Sequence, residues 1–284
     1  MRLIDDITAF LESNGFGCRH QTVHDHDVIC TTAAGSGGMR MILPLEICAL
    51  TQEDAYGQSI RTEECILSVS KDNAYPLIIT KDRWESQREM MKARLMAHLE
   101  CFSTAYARNC EVRRIEKSEA QAFLNENHSY GYAACRYHYG MFQKRATGQN
   151  ESDRKGKLLA VATFSNARKW VKEDKVICSY EWTRYASLPD LRINGGMGKM
   201  LKTFIAEIRP DDIMSYADLE WSEGGAYSRL GFRLEGRKEA VMFSIDPLTW
   251  KRSPTGKGNG TPEDRLYFRN FGSNKYRLKL TEYK

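Results

Sequence analysis

The chain has no apolar run long enough to cross a membrane. Its apolar stretches, such as Leu158–Ala162, stop far short of the roughly 20 residues a span requires. The start, Met1-Arg2-Leu3-Ile4-Asp5-Asp6, has no basic stretch leading into an apolar one. No export signal is read there, and a cytoplasmic protein is expected. Cysteine is sparse, with 8 in 284 residues and no CxxC pair. That excludes a disulfide framework and predicts reduced thiols. No GK[ST] follows any glycine-rich loop, so no Walker phosphate loop is present. Residues 1–80 contain no Asp/Glu-x-Lys, and no histidine lies between positions 27 and 97. A two-carboxylate magnesium site needs acids converging at strand ends. No clear set exists, so a working nuclease is not expected there.

What remains is ordinary for a folded protein: 42% apolar and 28% charged residues, at a length suited to about two domains. The charge is uneven. Residues 1–107 carry 10 Lys/Arg against 15 Asp/Glu, while residues 249–284 carry 9 against 3. The basic C-terminal segment suits a polyanionic partner, or is simply a solvated basic surface. Aromatics interleave with its cations around Arg269 and Lys275, a pattern suited to stacking plus phosphate contact or to an edge hairpin.

Hydrophobic spacing predicts a short helix over residues 4–13 and strands at Met39–Leu45, Glu64–Ser70 and Tyr75–Thr80. A long helix is predicted over Trp84–Cys101, closing an α+β domain of residues 1–107. From 108 to 248 the pattern gives a second domain: a strand at Glu111–Ile115, a helix capped by Ser118, and strands at Tyr137–Phe142, Leu158–Phe164 and Val176–Tyr185. A glycine turn, a helix to about Ile208, a strand at Asp212–Ala217 and a helix ending at Gly231 follow. Lys144–Lys157 reads as a mobile polar loop, and residues 249–284 as a basic extension expected to fold as a hairpin.

Gly195-Gly196-Met197-Gly198, ahead of Lys199, lies between a strand and a helix. Such a turn aims backbone amides and the positive helix end at an anion such as a pyrophosphate. Ile193-Asn194-Gly195-Gly196-Met197-Gly198 resembles the (Gln/Arg)-x-x-Gly-x-(Gly/Ala) loop of the GNAT acyltransferase superfamily, with Ile193 at the Gln/Arg position. Tyr227 to Phe232 resembles the Tyr-x-x-x-Gly-Phe end of that core. Glu181–Ser187, Ser215–Asp218, Thr80–Trp84, Tyr106–Val112, Phe123–His128 and Phe271–Tyr276 resemble a phage and mobile-element subgroup. It includes Mom-type DNA adenine modification proteins and domains fused to homing-endonuclease-like nucleases.

The resemblance implies an α+β fold with a GNAT-like, mostly antiparallel sheet flanked by helices. It implies an acyl-CoA donor such as acetyl-CoA, held by Gly195, Gly196, Met197, Gly198 and Lys199. It implies Tyr227 as the acid for a leaving thiolate, and Arg184 with Asp218 lining the acceptor pocket. Polar side chains in apolar strands also favour a simple Arg184–Asp218 ion pair. Glu181 is either the base or an exposed strand residue. His128, Tyr130 and Tyr132 are placed to stack or orient a base. The expected function is therefore transfer to an amine, most directly on a nucleic-acid base, with DNA as partner. The alternatives are an inactive DNA-binding relative of mobile nucleases and a protein or small-molecule N-acetyltransferase. Cys18, His20, His24, His26 and Cys30 lack zinc-finger spacing and read as a polar turn.

Overall fold

A computed structural model describes residues 2–70, 75–144, 156–172, 174–255 and 265–281. The N-terminal elements are α1 (Leu3–Ser13), β1 (Arg19–Val23), β2 (His26–Thr32), β3 (Met39–Leu45), α2 (Gln52–Ser70), β4 (Leu77–Thr80), α3 (Lys81–Ser86) and α4 (Arg88–His98). Then come β5 (Ser103–Tyr106), β6 (Cys110–Arg114), α5 (Lys117–Asn127), β7 (Tyr137–Gln143), β8 (Leu158–Phe164), β9 (Arg168–Lys172), β10 (Lys175–Ser187) and β11 (Leu191–Asn194). The remainder is α6 (Gly196–Ile208), β12 (Asp212–Asp218), α7 (Gly225–Arg229), β13 (Arg233–Lys238), β14 (Met242–Ile245), β15 (Arg252–Pro254), β16 (Leu266–Arg269) and β17 (Ser273–Lys279). Among the described residues no helix is long and apolar enough to cross a membrane. The mixed α+β class expected from the sequence is observed.

The chain forms two compact units, and each draws on separate stretches. The first comprises Met1–Cys101, Ala217–Gly224 and Arg237–Asn274. Its main sheet runs β1-β2-β3-β4, antiparallel except for the β3–β4 pair. Alternation along the strands fills both faces. Ile29 and Ile42 point to α1, whose Leu3, Ile4, Ile7 and Leu11 form one buried stripe. Val28, Cys30, Met41 and Leu43 point to Cys65, Ile66 and Val69 of α2. Each such side chain contributes about 1.5–3 kcal/mol by leaving water. A second small sheet, β15-β14-β16, belongs to the same unit.

Several expectations are corrected. Glu64–Ser70 is the end of α2, not a strand. Its buried Cys65, Ile66 and Val69 follow helical spacing, which a short apolar run also permits. The helix expected over Trp84–Cys101 breaks at Gln87, whose φ of −136° leaves helical space, giving α3 and α4. Ser118 does not cap α5; the helix starts at Lys117 with Glu116 before it. The Cys18–Cys30 segment is the β1–β2 hairpin, with His24 and Asp25 at its left-handed turn. Cys18 packs with the α1 cluster and Cys30 with the α2 cluster, on opposite faces of the sheet. Most of the loop expected to be mobile lies outside the described residues.

Charges are also buried in this unit. Arg252 grips Asp82 with two hydrogen bonds of 2.6 and 2.9 Å and reaches Glu220 at 2.7 Å. Arg83 Nε donates to Glu220 at 2.9 Å. Burial alone would raise the Asp82 carboxyl, but Arg252 and the surrounding hydrogen bonds pull it below the usual range. Asp82 and Arg83, part of the Thr80–Trp84 run, thus serve the core of the fold.

The second unit comprises Phe102–Tyr216, Gly225–Gly236 and Lys275–Lys284. Its sheet order is β13-β17-β12-β10-β8-β7-β6, with β9 also paired to β10. The β6–β7, β7–β8 and β8–β10 pairs are antiparallel, and β10–β12 is parallel. Helix α5 packs Ala120, Phe123 and Leu124 against Val161 and Ala186. On α6, Phe204 stacks on Phe164 with ring centroids 3.8 Å apart. Among the described residues after 249, β16 and β17 do not form the expected hairpin: β16 pairs with β14, and β17 lies between β13 and β12.

Candidate functional site

The parallel strands β10 and β12 pair over three residues, Ser179 to Asp212, Tyr180 to Ile213 and Glu181 to Met214. Pairing then stops, although β10 continues to Ser187 and β12 to Asp218. At the fork the Trp182 carbonyl accepts a 2.8 Å hydrogen bond from the Ser215 hydroxyl instead of from a strand amide. Two parallel strands that part company leave unpaired backbone polar groups beside an opening.

A bulge lies at the same point. Trp182 pairs with Phe164 and Arg184 with Thr163, so Thr183 is the extra residue. The bulge sorts the side chains. Trp182 stacks on Phe164 on the α6 side, and the Tyr185 hydroxyl lies 3.2 Å from where a Cβ on Gly196 would sit. Arg184 turns the other way and donates from Nε to the Gly131 carbonyl at 3.1 Å. Strand alternation places Glu181 on that same side.

The glycine turn follows β11. Gly195 has φ of +76°, a conformation that costs a non-glycine residue strain. A Cβ on Gly196 would meet the Ile193 Cβ at 3.0 Å, and one on Gly198 would meet Leu230 at 3.3 Å. The glycines thus permit the turn and the close approach of the α6 N-terminus to its neighbours. Helix geometry leaves the first α6 amides, at Gly196, Met197 and Gly198, without intrahelical acceptors. Lys199 departs from expectation: its ammonium donates to the Ala107 and Cys110 carbonyls. It ties α6 to the turn before β6 rather than facing a ligand.

Tyr227 stands on α7 with its hydroxyl 2.8 Å from Ser215 Oγ. Ser215 has one proton, which it gives either to the Tyr227 hydroxyl or to the Trp182 carbonyl; when it goes to Tyr227, the tyrosine's own proton can point to another acceptor. The Tyr227 ring stacks on Tyr276 at 5.5 Å and meets Trp182 edge-on at 6.2 Å. Burial pushes its hydroxyl above the ordinary tyrosine range, while the Ser215 hydrogen bond and Arg184 pull it back in part.

Glu181 borders a cavity of about 290 Å³ lined with Ala134, Ser165, Asn166, Arg168 and Met214. Its backbone is pinned on both sides by Ser165, whose Oγ accepts from the Glu181 amide and whose amide donates to the Glu181 carbonyl. The Arg184 donors go to the Gly131 and Thr183 carbonyls. Burial lowers its pKa. Asp218 belongs to the first unit, where its Oδ1 accepts from the Glu220 amide at 2.9 Å.

The residues expected to face nucleic acid separate. His128 ends α5 and accepts from the Tyr130 amide at 3.1 Å, with Tyr130 exposed beside it. The Tyr132 ring stacks on His138 and its hydroxyl lies 2.9 Å from His138 Nε2. Arg269 is in the first unit, bonded to Ser59 and close to Glu63, and Lys275 is paired with Glu235 at 2.6 Å in the second. Neither tail cation is presented as an open phosphate ligand. Sequence reasoning missed Ser215, Thr183 and Tyr185. All three lay in singled-out runs, Glu181–Ser187 and Ser215–Asp218, but none was given a role; a bulge has no residue signature in one sequence.

No family model matches the chain. No curated protein matches it either. Several solved structures are similar to part of it. A GNAT-family acetyltransferase from Bacillus anthracis is 11% identical, covers 60% of this chain and 95% of its own, and has a TM-score of 0.31. The ribosomal-protein-S5-alanine acetyltransferase from Vibrio fischeri is 12% identical, covers 62% and 96%, and has a TM-score of 0.34. Eis1 from Mycobacterium abscessus is 17% identical with a TM-score of 0.33 over 48% of this chain, which spans only 34% of Eis1. Likeness this distant leaves the functional reading to the geometry of the fork, the glycine turn and the Glu181 cavity.

Proposed function

We propose that the second unit is an N-acyltransferase of the GNAT type, taking its acyl group from an acyl-CoA and passing it to an amine. The observation that carries the reading is the fork between β10 and β12, with an acid-capable tyrosine held at its apex by Ser215. The glycine turn fits the donor: its amides head a 13-residue helix, and glycine leaves them without flanking side chains. The amides of Gly196, Met197 and Gly198 would hold the pyrophosphate, and acyl-CoA would supply an activated thioester carbonyl.

The chain's own groups complete the chemistry. Glu181, at the acceptor cavity, takes the proton from the attacking amine nitrogen. The Thr183 amide, at the bulge beside the fork, would be the donor for a developing oxyanion. Tyr227 gives its proton to the departing sulfur and regains one through Ser215. The carbon–nitrogen bond forms as the carbon–sulfur bond breaks.

The acceptor we favour is an exocyclic amine of a nucleic-acid base, as in the Mom-type subgroup. The runner-up is a protein or small-molecule amine. Arg269 and Lys275 do not support the first choice, so it rests on other cations. The test incubates the purified protein with acetyl-CoA and DNA, tRNA or polyamines, followed by mass spectrometry of the digested products. A mass shift on one acceptor and donor binding by calorimetry are expected. Failure of donor binding removes the transferase reading.

A further inference from the structure

The ribbon made by β9 and the start of β10 answers the question of which cations remain. Its register sets Lys172 opposite Lys175, Trp170 opposite Ile177 and Arg168 opposite Ser179. Opposed residues share a face of the sheet. One face therefore carries Arg168, Trp170, Lys172 and Lys175, while Lys169, Val171 and Val176 lie on the other. All of β9 is exposed, including Trp170 at 37%, whereas Ile177 opposite it is 3% exposed. Two lysines directly opposed repel one another and contribute nothing to folding. At the inner end, Arg168 and Ser179 line the cavity beside Glu181. A cationic face with an indole at its middle thus runs into the acceptor cavity.

We propose that this face binds a single-stranded or locally opened nucleic acid and leads one base into the Glu181 cavity. The assignment of the cavity as acceptor site rests on the transferase reading; the binding face does not. Alternate positions in a strand are about 7 Å apart, so Lys172 and Arg168 straddle Trp170 at two such steps. Cations that flank an aromatic suit phosphates on either side of a stacked base. An acidic peptide would use the charges alone, whereas a base can also stack on the exposed part of the indole. A base inside a duplex keeps its amine out of reach, which favours an unpaired strand.

The test uses the full chain and fluorescence anisotropy with a labelled oligo-deoxythymidine, between about 50 and about 200 mM salt. Lys172→Gln with Lys175→Gln should weaken binding about tenfold and flatten the log–log salt slope by about 1.4, the value for two single-strand phosphate contacts. Trp170→Ala should weaken binding about tenfold with the slope unchanged. Lys169→Gln, on the opposite face, should change the affinity less than about twofold if its charge stands clear of the strand's path. No binding at low salt overturns the proposal, as does a slope that ignores the double substitution. Polyglutamate binding as tight as the oligonucleotide's, and equally indifferent to Trp170→Ala, overturns it in favour of an acidic protein partner. Acetyl-CoA calorimetry on the same samples separates the claims. Donor binding without oligonucleotide binding sinks the ribbon alone; the reverse sinks the transferase reading and leaves the binding face standing.

Discussion

Ser215 Oγ lies 2.8 Å from the Tyr227 hydroxyl and 2.8 Å from the carbonyl of Trp182, within reach to donate to either. The fork between the two parallel strands is thereby closed at its apex by a hydroxyl chain, not a strand ladder. Tyr227→Phe should cut kcat by about a hundredfold or more, the range of a lost general acid. An acid must be protonated to act, and burial raises Tyr227 above its ordinary value. Activity should therefore persist through pH 10 before falling on the alkaline side. Ser215→Ala removes a contact that lowers the tyrosine, so its alkaline limb should shift to higher pH. A limb that stays in place in both variants would remove Tyr227 from the chemistry.

The glycine turn gives a graded expectation. Gly196→Ala sets a Cβ 3.0 Å from the Ile193 Cβ and 3.2 Å from the Tyr185 hydroxyl, so Ile193, on the turn itself, must give by a few tenths of an ångström. Acetyl-CoA affinity by calorimetry should fall about tenfold or more, since the amides then lose their alignment. Gly198→Ala meets only the end of the Leu230 side chain at 3.3 Å, which can rotate. Its loss should be several times smaller. Equal losses would mean that the turn does not hold the donor.

The second unit was largely legible because its strands obey period two and its glycines punctuate them. The fork itself was not. Strand ends read the same whether neighbours stay paired or part, and the bulge at Thr183 follows from pairing with β8, not from local residues. β9 escaped notice because all five of its residues are exposed, which erases the apolar alternation that marks a strand. In the first unit, Glu64–Ser70 had an apolar pattern that both periods accept, and only the preceding polar turns of α2 decide it. The tail cations misled for another reason. Charge in a sequence carries no partner, and Lys275 finds Glu235 while Arg269 finds Ser59 and Glu63.

Arg252 is the hub of the buried charges in the first unit, bonded to both Asp82 and Glu220. Arg252→Met should destabilise that unit by about 3–5 kcal/mol, because two carboxylates are left buried without their main partner. Denaturant unfolding would show it. The triple substitution Arg252→Met, Asp82→Asn, Glu220→Gln should recover much of the loss by removing the orphaned charges. A triple variant no better than the single one would show that shape, not charge, is what Arg252 supplies.

The pH dependence of stability follows from depressed groups in both units. The Arg277 hydrogen bond, with help from Lys275, pulls Glu235 down to about 2. Burial holds His98 at about 4, below the usual histidine value. In each case the unfolded chain binds a proton more readily than the folded one. Stability from His98 is therefore full above its unfolded value near 6.5 and lost as pH falls toward 4. That from Glu235 is full above about 4.5 and lost as pH falls toward 2. Thermal unfolding should show a first decline between about pH 6.5 and 4, absent in His98→Gln if that variant folds, and a second below pH 4.5, reduced in Glu235→Gln. A transition temperature that is flat from pH 7 to 4 in the unsubstituted protein would contradict the neutral, buried state assigned to His98.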